Sequence, residues 1–180
     1  MRVLGISGSL RAGSFNTALI RAAAELLPPG VEFELLEGIG DLPHYSEETD
    51  LDPAPLAVAL LRKAVRDADA VLISTPEYNG SLPGSLKNAL DWASRPRGSS
   101  PFEGKPAAVV GASPGLFGAV WAQADARRIL GIMGAKVVDR ELPVPTVQDR
   151  FSPSGELIDE EIALALGEIV NELIPLAVAA

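Results

Sequence analysis

Five runs of apolar residues alternate along the chain with five stretches that repeat apolar positions at helical spacing. The runs cover 2–7, 31–36, 70–75, 106–112 and 137–144, and the helix-patterned stretches cover 15–27, 55–67, 83–94, 117–133 and 157–174. Ala70-Val71-Leu72-Ile73-Ser74-Thr75 is almost continuously apolar, the pattern of a strand covered on both faces of a parallel sheet. Leu19, Ala22, Ala23 and Leu26 form one apolar helix stripe, and Ile158, Ile162, Ala165, Ile169 and Leu173 form another. One-for-one alternation of strand and helix predicts an α/β fold, a doubly wound five-stranded parallel sheet with helices on both faces. Pro143 and Pro145 place the fifth strand at a sheet edge, where a missing N–H costs least. No repeat or linker divides the sequence, so 1–180 reads as one domain, and Leu176–Ala180 reads as a fraying helix end.

Two inter-element loops carry candidate chemistry. Gly8-Ser9-Leu10-Arg11-Ala12-Gly13-Ser14-Phe15-Asn16 joins the first strand to the first helix. The first N–H groups of a helix lack internal acceptors and the helix dipole adds partial positive charge there, so an anion is stabilised at that end. Ser9, Ser14, Asn16 and Thr17 offer polar side chains, and Arg11 offers a planar cation suited to phosphate oxygens. An ordinary turn capped by Ser14 accounts for the same residues without a ligand. The loop lacks the Gly-Lys-Ser/Thr ending of a nucleoside-triphosphatase loop. Its glycines, at 5, 8 and 13, do not follow the dinucleotide fingerprint, although Glu37 ends the second run where that fold holds a ribose.

The third strand stops at Pro76 and opens into Glu77-Tyr78-Asn79-Gly80-Ser81-Leu82-Pro83-Gly84-Ser85. Asn79-Gly80 signals a tight turn that exposes backbone groups, and Pro83 suits the first turn of the next helix, whose stripe is Leu86, Ala89, Leu90 and Ala93. Ligands of open parallel sheets bind at the carboxyl ends of the strands, where both loops fall. Tyr78 either lies along a flat ring there or simply packs on its loop.

Together these segments resemble the NAD(P)H-dependent FMN reductase family. Gly8-Ser9-Leu10-Arg11 with Ser14-x-Asn16, then Thr75-Pro76-Glu77-Tyr78-Asn79-Gly80-Ser81-Leu82-Pro83-Gly84-x-Leu86-Lys87-Asn88-Ala89-x-Asp91-Trp92, carry the likeness, which extends from Val3 to about Leu173. The resemblance implies a flavodoxin-like sheet of order 2-1-3-4-5 and an enzyme that passes a hydride from NADPH or NADH to bound FMN, then electrons to a quinone or similar small acceptor. It implies that Ser9, Arg11, Ser14, Phe15, Asn16 and Thr17 surround the FMN phosphate. Pro76, Glu77, Tyr78, Asn79 and Gly80 would border the ribityl chain and flavin ring, and Ser113 and Gly115 of the third loop the ring's other edge. No side chain need act as acid or base; Tyr78 shapes the pocket. The resemblance implies a homodimer, or a tetramer as a larger assembly. The third loop departs from many relatives, with Leu116 in place of an Arg, Gly118-Ala119 in place of a Gly-Gly pair, and Trp121 and Ala124 in place of an Arg and a Tyr.

Composition narrows the alternatives. A net charge of −9 opposes binding to nucleic acid or anionic membranes, and no stretch approaches the ~20 apolar residues of a membrane span. The sequence enters strand pattern after a single Arg, without a signal-peptide pattern, and has no cysteine, which together read as cytoplasmic. With no cysteine and only His44, a metal site is not expected. Besides the reductase, a flavodoxin-type electron carrier and a flavin-free binding module fit the fold. His44–Glu48 reads as a polar loop that either is solvated or touches substrate. The Ser94–Pro101 connector, with Arg95 and Arg97, is either a solvated connector or a contact for a dinucleotide phosphate.

Overall fold

In the computed structural model, which describes residues 1–178, the first four apolar runs are strands. They are β1 (Arg2–Ser7), β2 (Glu32–Leu36), β3 (Ala70–Thr75) and β4 (Pro106–Ala112). The fifth run, 137–144, is not one strand. It splits into β5 (Lys136–Val137) and β6 (Pro143–Val144), both paired parallel with β4. Asp139, Arg140 and Glu141 between them are exposed, and Pro143 brings no N–H to the ladder. The buried Gln123 side chain compensates: its Oε1 accepts from Leu142 N at 3.0 Å, and its Nε2 donates to Gly118 O at 3.2 Å. The sheet order is β2-β1-β3-β4-β5, parallel throughout, as in flavodoxin-like proteins.

The helices are α1 (Phe15–Glu25), α2 (Leu56–Asp67), α3 (Gly84–Ala93), α4 (Val120–Ile132) and α5 (Glu160–Val178). Pro83 caps α3 from just outside rather than occupying its first turn. The fourth helix starts three residues later than its pattern suggests, because Gly118 and Ala119 take left-handed φ values of +57° and +63°. The end segment is helical as far as Val178, and Ala179 and Ala180 lie outside the described residues. Among the described residues, no helix is long and apolar enough to cross a membrane.

The sheet separates two apolar layers. Val58, Leu61, Leu86, Trp92, Phe102 and Leu130 lie on the face covered by α2, α3 and α4. Leu19, Leu166, Ile169, Val170, Leu173 and Phe151 lie on the face covered by α1 and α5. α1 approaches β1 closely at Gly5, where a Cβ would stand 2.6 Å from Ile20 Cγ2 and 2.7 Å from the Phe33 ring. Gly5→Ala should therefore destabilise the fold by about 1–3 kcal/mol through overpacking, read as a lower urea midpoint at unchanged slope.

Candidate active site

β1, β3 and β4 are neighbours, so the loops at their carboxyl ends stand side by side. In the first, Gly8 N donates to Ser74 O at 2.8 Å, which holds the start of the loop against β3. Ser14 is the N-cap of α1, with its Oγ accepting from Asn16 N at 3.2 Å. That cap does not exhaust the donors: among the described residues, the N–H groups of Ala12, Gly13, Ser14 and Phe15 have no acceptor. Four free donors at the N-terminus of an 11-residue helix form a cradle for an anion. Arg11 is exposed, makes no ion pair among the described residues, and rests over the Phe15 ring at 5.9 Å. Ser9 Oγ accepts a long contact from Arg11 N at 3.4 Å, and Thr17 Oγ1 donates to Ser7 Oγ at 2.9 Å.

Asn16 behaves differently from its loop neighbours. It is 4% exposed, and its Nδ2 donates to Ala112 O at 3.0 Å. Its Oδ1 accepts from Ala112 N at 3.0 Å and from Ser74 Oγ at 2.8 Å. The amide thus fastens α1 to the ends of β3 and β4 and orients the cradle from beneath.

In the second loop Asn79 and Gly80 have φ values of +53° and +73°. Tyr78 N donates to Ser81 O at 3.0 Å, and Ser81 N to Tyr78 O at 3.2 Å, closing the tight turn that the Asn-Gly pair signals. The turn presents Tyr78 with 60% of its surface exposed. Pro76 is buried at its base. Glu77 reaches across to α4, where its Oε2 accepts from Trp121 N at 3.0 Å and Ala122 N at 3.1 Å. Ser81 Oγ donates to Asp125 Oδ2 at 2.6 Å. Sequence reasoning missed this clamp of the Tyr78 loop onto α4, because its partners lie some 44 residues apart and carry no local signal.

The third loop is tied to the segment after β6. Ser113 N donates to Val144 O at 3.1 Å, Val147 N to Ser113 O at 3.2 Å, and Thr146 N to Gly115 O at 3.2 Å. Gly118 is required there, since a Cβ would lie 2.5 Å from Val144 N and 2.7 Å from Pro143 C. Beyond this tether Leu116, Phe117 and Trp121 are exposed, with the Phe117 and Trp121 rings 4.8 Å apart. The 43–46 loop runs elsewhere, along α3. Tyr45 stacks edge-on against Trp92 at 5.0 Å and takes a bond from Arg95 Nε at 2.9 Å, while His44 is exposed.

An unpaired arginine and free amides at one strand end, flanked by an exposed tyrosine loop, match a flavin phosphate and ring in donor type. Such a crevice at the point where strand order reverses defines a flavodoxin-like nucleotide-binding protein. The profile of the family described as NADPH-dependent FMN reductase matches residues 1–149, and the chain belongs to that family. An NAD(P)H-dependent FMN reductase of Pseudomonas aeruginosa is 45% identical over 162 residues, covering 89% of this chain and 86% of that protein. A 2-hydroxy-1,4-benzoquinone reductase of a Burkholderia species is 40% identical over 162 residues, covering 89% and 87%. The solved structure of FerB, a flavoenzyme NAD(P)H:(acceptor) oxidoreductase of Paracoccus denitrificans, superposes with a TM-score of 0.85 at 39% identity, covering 99% of this chain and 97% of that one.

Asn16→Ala should destabilise the protein by about 2–4 kcal/mol in urea denaturation, because it leaves buried groups of Ser74 and Ala112 unpaired. Glu77→Ala should lower the melting temperature by about 2–4 °C, the expectation for a lost helix cap worth about 1 kcal/mol. The Ser81 hydroxyl, and then Arg128, hold the Asp125 carboxyl below its ordinary value of 3.8. Because the folded value is depressed, the clamp's contribution is complete above the unfolded value and is lost as pH falls through the folded one. Ser81→Ala should therefore lower stability at neutral pH and leave it little changed at acid pH, so that stability falls less steeply on acidification than in the parent protein.

Proposed function

We propose that the chain is an FMN-dependent NAD(P)H oxidoreductase delivering electrons to a quinone or similar small acceptor. The observation that carries this reading is the free amide cradle at Ala12–Phe15 with unpaired Arg11, one strand away from the exposed Tyr78 turn. The chemistry supplied by bound FMN is acceptance of a hydride from NAD(P)H and return of the electrons to the acceptor. The chain's own part is binding and orientation. Arg11, the Ser9 hydroxyl, and the backbone of Ser14 and Phe15 hold the phosphate, while Asn16 and Thr17 fix the loop from within. Pro76, Glu77, Asn79 and Gly80 shape and position the ring's border, Tyr78 flanks its face, and Ser113 and Gly115 meet its far edge.

Exposed Phe117 and Trp121 beside the Tyr78 loop favour a flat aromatic acceptor over a small oxyanion, in line with the loss of a cation at position 116. Leu116, Phe117 and Trp121 also give two copies of the chain an apolar surface to share, and we read the working unit as a homodimer. We further read the chain as one domain acting in the cytoplasm, where its hydride donor is available.

Anaerobic titration of FMN-loaded protein with NADPH and, separately, NADH should bleach the flavin absorbance rapidly with at least one of them. A bound flavin that neither nucleotide reduces would point to an electron carrier instead. Arg11→Ala should weaken FMN binding by about 10–100-fold, the loss of one charge-assisted contact, with the circular dichroism spectrum unchanged. Tyr78→Ala should alter the rate of flavin reduction more than the melting temperature.

A further inference from the structure

A second concave feature lies apart from the crevice between the first and second loops. It is an open cleft of about 800 Å³ that starts at Arg11, Gly13 and Ser14 and runs down the flank of α1 to Glu25. Its opposite wall is a short hairpin closed by pairing of Phe151 with Leu157 and pinned by Arg150 Nη1 donating to Asp159 Oδ2 at 2.7 Å. From Ser14 to Glu25 the helix rises about 16 Å, the length of a nucleotide rather than of a lone phosphate. Phe15 and Phe151, with centroids 5.5 Å apart, form an aromatic floor near the cradle. Ala18 and Ala22 keep the helix side shallow.

Two arginines of the cleft stand without a carboxylate partner. Arg2, Arg62, Arg127, Arg128, Arg140 and Arg150 all pair with carboxylates. Among the described residues Arg11 and Arg21, at the near end and partway along the cleft, pair with none, as do Arg66, Arg95 and Arg97 elsewhere on the molecule. Glu156 is engaged by Ser154 Oγ at 3.1 Å, whereas Glu25 at the far end makes no bond among the described residues. The cleft therefore presents, in order, an anion cradle with a cation, an aromatic floor, a second cation and a carboxylate acceptor. An adenylate has a matching sequence of groups: phosphate, sugar, flat base and exocyclic amine.

We propose that this cleft seats the adenylate half of FAD, so that the chain binds FAD as well as FMN. The proposal rests on the flavin reading above and extends it, since the cleft opens directly from the cradle assigned to the flavin phosphate. Arg21 and Ala22 become determinants of which flavin is held, with no part in holding FMN.

The test is fluorescence titration of flavin-free protein with FMN and with FAD. FAD should bind with a dissociation constant within about tenfold of that for FMN. Ala22→Trp, which fills the cleft, should weaken FAD by at least about tenfold and leave FMN unchanged. Arg21→Glu, at an exposed position, should weaken FAD severalfold and FMN not at all, and it keeps the test sound if the Trp variant fails to fold. FMN binding with FAD more than about 100-fold weaker would overturn the proposal and leave the reductase reading intact. Equal loss of both flavins, or of neither, in the Arg21 variant would also overturn it. If Ala22→Trp instead raised the KM for NADPH with FAD and FMN affinities unmoved, the adenylate in the cleft would belong to the hydride donor and the FAD assignment would fall. Binding of neither flavin would remove the flavin reading itself.

Discussion

The Asn16 amide is the point from which the ligand-facing end of this sheet is organised. One side chain, buried and with both its amide atoms bonded, joins the start of α1 to Ser74 at the end of β3 and to both backbone groups of Ala112 at the end of β4. A buried amide is costly unless every polar atom finds a partner, and here the partners come from two neighbouring strand ends. The arrangement fixes the spacing of three loops at once. It also frees the backbone donors ahead of it, because α1 is capped by Ser14 and held by Asn16 without using the amides of Ala12 to Phe15. Loop amides can remain unpaired and aimed outward only when something beneath them is rigid.

A second layer of constraint comes from α4. Its N-terminus follows two left-handed residues, so the usual Ser or Asp cap is missing and a glutamate from the neighbouring loop takes that role. The consequence is reciprocal: Glu77 relieves the helix end, and the helix end fixes the residue before Tyr78. Ser81 and Asp125 repeat the connection on the other side of the turn. Tyr78 is therefore exposed yet held on both flanks, which fits the ring-flanking role proposed for it above.

Much of this was legible in the linear pattern. Continuous apolar runs bounded by Gly, Pro and Ser marked four strands, and the strand order implied by the family resemblance placed two polar loops at one crevice. Asn79-Gly80 announced its turn because positive φ at two successive positions suits few other pairs. What the pattern missed has a common cause. The break in 137–144 depends on Gln123 supplying a bond from another element. The late start of α4 depends on Gly118 fitting against the backbone of Pro143 and Val144. The hairpin at Phe151–Leu157 carried a turn signal in Pro153-Ser154-Gly155, but its role as a cleft wall appears only when α1 is opposite it. Asn16 reads as a ligand contact from its place in a polar loop, and nothing in the sequence reveals that its amide is bonded inward.

The broken edge of the sheet bears on how copies of the chain meet. An uninterrupted fifth strand would offer a row of open N–H and C=O groups to any neighbour, a template for uncontrolled stacking. Instead the ladder stops after two residues and resumes only for two more, with Asp139, Arg140 and Glu141 projecting between them; Arg140 is held by Glu168 and Glu172. The opposite edge, β2, carries exposed Glu32 and Glu34. Both margins thus disfavour strand addition, which leaves the helical and loop surfaces for any contact between copies. On the homodimer reading proposed above, assembly and the chemistry of the crevice draw on the same exposed aromatic residues, and the acceptor's entrance takes its shape from the contact between copies.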